Sequence, residues 1–128
     1  MVAIKTEAKS AYDSIRMDYD EISHHKRAFS KETKKMMKAQ MAVYAGVYNR
    51  DYAMYKKGID TYEALIAIVV TAPHTQYVVL TDDMQKFGVN EGEGLQYATS
   101  HMDMQTFMRD KLAKYKAIYN QLPRGYFK

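Results

Sequence analysis

A chain of 128 residues has the length of a single domain and buries about two-thirds of its unfolded surface, so it needs neither disulfides nor a structural metal to hold a core. Hydrophobic residues at 47%, charged residues at 27%, six Gly and two Pro exclude collagen-like and low-complexity chains and argue against global disorder. The absence of cysteine removes disulfide frameworks, thiolate metal sites and cysteine nucleophiles, and makes the cytoplasm the expected compartment.

Residues 1–29 read as a first helix, without the uninterrupted apolar stretch of a secretory signal, because Lys5, Glu7, Lys9, Asp13, Asp18 and Asp20 break it up. Within it Ala8, Tyr12, Ile15, Tyr19, Ile22, Lys26 and Phe29 step by four and three, a narrow seam with acids and bases between. A second stripe, Met37, Met41, Tyr44, Tyr48, Tyr52 and Tyr55, predicts a helix over 31–57, ended by Lys56, Lys57 and a capping Gly58. Only Ser30 marks the boundary between the two helices. A continuous 5–57 helix, about 80 Å long, is the alternative and would force self-association.

Asp60 and Glu63 have the spacing of a capping box, which predicts short elements over 61–88. The body of this apolar middle segment is β-branched. Helix is the preferred reading, and the rival is a β-hairpin pairing 67–71 with 76–80 across Pro73. The longest apolar run, Ala64 to Val70, falls far short of the ~20 residues needed to span a bilayer, so no membrane segment is expected. Thr81, Asp82 and Asp83 read as the acid-rich start of a helix ending at Gly88. The glycine-bearing stretch 89–94 reads as a loop. The last helix, 95–121, carries His101, Gln105, Met108, Leu112, Tyr115, Tyr119 and Leu122 at four-three spacing and stops before Pro123, leaving 122–128 as a tail.

Three long amphipathic helices and a short apolar middle segment make one all-α helical bundle, since each stripe must be buried against another. Twelve tyrosines and ten methionines supply much of the filling. Tyrosine hydroxyls demand water or a partner, and methionine faces specify packing poorly, so the sequence predicts a core that is thin or partly exposed, with its final burial involving another chain. Charge runs in blocks: 1–25 and 58–103 are acidic, 26–57 and 104–128 basic, within a net charge of +4. Such blocks suit pairing within one chain or between copies.

Two candidate surfaces follow. Tyr44, Tyr48, Tyr52 and Tyr55 read as one helix face for a protein partner or a second copy, with Tyr126 and Phe127 of the tail as a second anchor or as residues folded back on the bundle. The alternative is a nucleic-acid surface in which Lys26, Arg27, Lys31, Lys34, Lys35 and Lys38 neutralise phosphates and tyrosines stack on bases, although no nucleic-acid-binding motif accompanies them.

Catalytic and metal chemistry is poorly served. Glu21 and His24 form one Glu-x-x-His step, but a di-iron bundle needs a second and two more glutamates; with Asp18 and His25 the group amounts to polar pairs on a helix surface. His101 beside Asp103, and His74 in the Pro73 turn, lack any framed nucleophile. Asp82 and Asp83 are adjacent and point about 100° apart on a helix, and the 90–94 loop repels phosphate with Glu91 and Glu93. The reading is a non-enzymatic protein without a cofactor that acts through protein contacts, self-associating or serving as an accessory or inhibitory subunit. By analogy of size and composition, an accessory protein of a phage or mobile element fits it. A small helical enzyme or metal-binding protein using His24, His74 or His101 is the third reading, after nucleic-acid binding.

Overall fold

The computed structural model describes residues 2–23, 31–70 and 101–127, with side chains placed for 5–20, 34–68 and 108–127. Four helices account for nearly all of these residues: α1 (Val2–Ser23), α2 (Lys31–Tyr48), α3 (Tyr52–Val70) and α4 (His101–Gln121). The fold is all-α, with no strand among the described residues.

The predicted 31–57 helix is two helices. At Asn49–Asp51 the chain reverses, with Arg50 in the left-handed region at φ 58°. The Asp51 amide reaches back to the Gly46 carbonyl at 2.8 Å and the Arg50 amide to that of Val47 at 3.3 Å, the bonding pattern of a Schellman cap. Asp51 then caps the next helix, its Oδ1 accepting from the Met54 amide at 3.1 Å. Arginine stands where glycine is the usual signal, so the corner is hidden in the sequence. Gly58 is consequently no cap. It lies inside α3, where a Cβ would meet the Ala39 carbonyl oxygen and the Val43 nitrogen at 2.7 Å. Gly46 likewise lies against the Tyr55 backbone, so glycines at two levels let α2 and α3 approach backbone to backbone.

Asp60 and Glu63 also lie within α3 and start nothing. Residues 64–70 are helical, as preferred over the hairpin; the rest of the proposed hairpin, the 81–88 helix and the 89–94 loop lie outside the described residues. The last helix stops at Gln121, before Pro123, as expected.

Each helix runs antiparallel to the one before. Lys5 and Lys9 of α1 lie by the Tyr48 ring while Lys38 lies over Tyr19, so α1 folds back on α2 and the continuous-helix alternative is excluded. Tyr62 of α3 meets Tyr115 of α4, and Tyr52 meets Tyr119. Helix α2 is central. Besides the predicted Met37, Met41 and Tyr44 it buries Met36, Ala39, Gln40, Val43 and Val47.

The tyrosines divide: Tyr48, Tyr52 and Tyr119 stay exposed, while others go inside for a specific reason. Tyr44, Tyr55, Tyr62, Tyr115 and Tyr126 are all buried, and polar groups inside the bundle meet the hydroxyls of Tyr55, Tyr115 and Tyr126. The Tyr55 hydroxyl donates to the Tyr115 carbonyl at 2.5 Å, and the Gln40 amide donates to the Tyr115 hydroxyl at 2.8 Å. The Tyr115 ring stands edge-on to both Tyr44 and Tyr62, at centroid distances of 5.7 and 5.3 Å, an arrangement favoured by the ring quadrupoles. Met36, Met37 and Met108 are fully buried within the same chain.

Candidate functional site

The tyrosine stripe does not form one face. Tyr44 faces the core from α2, and Tyr55 does so from α3. Tyr48 is partly exposed beside the ammonium groups of Lys5 and Lys9, at 5.6 and 6.0 Å from its ring centroid. Tyr52, beyond the corner, turns instead toward Tyr119 and Phe127. An uninterrupted helix would have aligned the four rings; the Arg50 turn separates them into two pairs.

The tail is folded back on the bundle. A turn closes from the Tyr126 amide to the Pro123 carbonyl at 3.0 Å, with Gly125 at φ 77°, the angle a type II turn needs at its third residue. Tyr126 is thereby buried beneath the α2–α3 corner, where its hydroxyl donates to the Val47 carbonyl at 2.5 Å. Arg50 closes over it: its Nε donates to the Tyr126 carbonyl at 2.8 Å and its guanidinium lies 4.8 Å from the ring centroid. Burial pushes the phenol pKa values of Tyr55 and Tyr126 upward, with Arg50 opposing the shift at Tyr126. Phe127 stacks on Tyr119, so Tyr52, Tyr119 and Phe127 make a small aromatic patch at this end of the bundle.

A further open feature lies elsewhere. Between α1 and α3, across the outer face of α2, runs a groove of about 930 Å³. Ala39, Ala42, Ala45, Ala53 and Gly58 line it with small side chains, Met41 and Met54 with flexible ones. The small residues that bring α2 and α3 together leave this trough, because among the described residues no lining side chain fills it. Its edges carry Arg16, Lys35, Lys38 and Lys57 against one carboxylate, Asp20. Asp20 accepts from Arg16 at 3.4 Å, and the Arg16 guanidinium pKa is raised first by its hydrogen bond to the Tyr12 hydroxyl and then by the field of Asp20. A smaller continuation shares Lys35 and Thr61 and passes Asp60, Ala64 and Leu65 to Ile68, which is 43% exposed.

Of the predicted basic cluster, Lys34, Lys35 and Lys38 stand on α2, with Lys35 and Lys38 on the groove edge and Lys38 also 5.7 Å from the Tyr19 ring centroid. Lys31 begins α2. Lys26 and Arg27 lie outside the described residues, as do His24, His25, His74, Asp82 and Asp83. His101 is the first residue of α4. Among the described residues no three His, Asp or Glu side chains converge as metal ligands, and no helix is long and apolar enough to cross a membrane.

The groove escaped the sequence reading because alanine spacing carries no signal of its own. Ala39, Ala42 and Ala45 at helical intervals, with Gly46 and Gly58, were the available clue. No protein-family model matches the chain, and neither the curated proteins nor the solved structures include a detectable relative.

Proposed function

We propose that this is a non-enzymatic helical protein that works by protein–protein contact, as an accessory or inhibitory subunit of a larger assembly or by self-association. The observation that supports the reading is the groove, an apolar trough along a central helix that the described residues leave open. It is wide and open along its length, whereas a small-molecule site encloses most of its ligand.

The test compares the full chain with Ala45→Phe, which places a ring in the trough. Light scattering after size exclusion, together with affinity capture, should show a multimer or a captured protein for the wild type that is lost in the variant at unchanged helical content. A strict monomer whose captured proteins are the same for both forms would count decisively against the reading.

A second reading, nucleic-acid binding through Lys26, Arg27, Lys31, Lys34, Lys35 and Lys38, draws support from the adjacent Lys34 and Lys35 and, one turn on, Lys38 standing together on α2. Fluorescence anisotropy with labelled DNA and RNA at about 50 and 200 mM salt tests it, since phosphate-driven affinity falls steeply over that range.

A further inference from the structure

Resting on the reading that this protein acts through protein contacts, we infer that the α1–α2–α3 groove is a docking site for an acidic amphipathic helix of a different protein. Three observations specify that occupant.

The first is size. The groove follows α2 from Lys35 to Asn49, about 21 Å at 1.5 Å per residue, and runs on past Thr61 to Ile68 along α3. About four helical turns of a partner fit that length. The second is the floor. Ala42, Ala45 and Ala53 allow an incoming backbone to come close, while Met41 and Met54 adapt to the side chains it brings. A helix presenting apolar residues at i, i+3, i+4 and i+7 is the shape this trough accepts.

The third is charge. Arg16 on the α1 side, Lys35 and Lys38 on α2 and Lys57 on α3 flank the floor, and the two lining carboxylates, Asp20 and, in the continuation, Asp60, are engaged by Arg16 and Lys56. Among the described residues neither Lys35 nor Lys57 is within salt-bridge distance of a carboxylate. Glutamates and aspartates flanking the apolar stripe of a partner helix would complete these edges. The same excess of cations argues against a second copy in a symmetric dimer, which would bring this surface against itself and oppose like charges. A nucleic-acid backbone is also a poor occupant, because its phosphates would cross a floor of methyl groups and thioethers rather than hydrogen-bond donors.

The test is selection of 16-residue helical peptides from a display library. The library fixes Leu at i, i+3, i+4 and i+7 and leaves the flanking positions random. Baits are the full chain, the groove-filling variants Ala45→Phe and Ala53→Phe, and the triple variant Lys35→Glu, Lys38→Glu, Lys57→Glu, each checked for unchanged circular dichroism.

Binders of the wild type should be enriched in Asp and Glu at the flanks and should perturb the Met41 and Met54 methyl resonances. Groove filling should weaken them by about tenfold or more, and charge reversal should invert the flank preference to Lys and Arg. Using two filling variants on different helices guards against one of them disturbing the fold.

Binders without charge bias, or binders whose methyl shifts map to another face, would overturn the groove assignment while leaving protein contact as the function. No binders from a chain that forms a defined multimer would replace the partner with a second copy. No binders from a strict monomer whose capture is unaffected by groove filling would remove both readings. Salt-sensitive nucleic-acid binding abolished by the triple variant would transfer the lysines to phosphate recognition.

Discussion

Replacing Gly58 with alanine tests the packing that creates the groove. On helix propensity alone a glycine inside α3 is unfavourable, and alanine at an exposed position would stabilise the protein by about 0.8–1.0 kcal/mol. The structure reverses that sign. A Cβ at Gly58 would sit 2.7 Å from both the Ala39 carbonyl oxygen and the Val43 nitrogen, and 2.8 Å from Val43 Cγ2. Two of the three obstacles are backbone atoms of α2, so no rotamer change relieves them and the two helices must move apart. Overpacking of this kind costs about 1–3 kcal/mol, and a shift of backbone lies toward the upper end. The expected net effect is therefore a destabilisation of roughly 1–2 kcal/mol. For a chain of this length that is about 4–8 °C in Tm. Urea unfolding followed by circular dichroism reads the difference directly, and an unchanged m-value would show that the compactness of both end states is preserved. Trimming Val43 to alanine in the same background should recover little, because it removes only the side-chain contact. A Gly58→Ala protein as stable as the wild type, or more so, would refute the close approach of α2 and α3.

Further substitutions address the buried hydroxyls and the corner. Tyr126→Phe removes the bond to the Val47 carbonyl, which still accepts from the Arg50 amide, so the loss should be about 1 kcal/mol in thermal unfolding; no change would mean the tail is not docked. Tyr115→Phe takes from the Gln40 amide its buried acceptor and should cost about 1–3 kcal/mol, whereas Gln40→Leu with Tyr115→Phe should recover part of it; strict additivity in this cycle would disprove the coupling. Asp51→Ala deletes the α3 cap and should cost about 1 kcal/mol, and a neutral result would place the start of α3 elsewhere. Tyr55 and Tyr126 hold their protons more tightly when folded than the phenol value near 10 of the unfolded chain, so the folded state retains protons that the unfolded state releases. Their contribution is fully present below pH 10 and is lost as the pH rises through the folded values. The urea midpoint should fall above about pH 10, and less steeply in a Tyr55→Phe, Tyr126→Phe variant.

Periodicity was enough to predict an all-α bundle. Ala8 and Ile15 on α1, and Met108, Leu112 and Tyr115 on α4, are buried where the four-three spacing placed them, because an apolar stripe on a helix has to leave water whatever it packs against. The stop before Pro123 is equally local, a matter of one residue's missing donor and restricted neighbour. The basic character of the early part of α2 is a property of composition and needs no fold to establish it.

Tertiary structure decided the rest. Arg50 adopts a left-handed conformation that its own side chain does not favour, in a corner also braced by Tyr126 from 76 residues away, so no window of sequence around 49–51 announces it. The turn in turn decides which tyrosines are core and which face water, sending Tyr52 to Phe127 and leaving Tyr48 with Lys5 and Lys9. Tyrosines that seemed too polar for an interior are buried because carbonyls of α2 and α4 receive the hydroxyls of Tyr126 and Tyr55. The groove is the most tertiary feature of all. Alanine and glycine say nothing alone about empty space; the trough exists because Gly46 and Gly58 draw two helices together while α1 lies to one side, and only their joint geometry sets four cations along its edges.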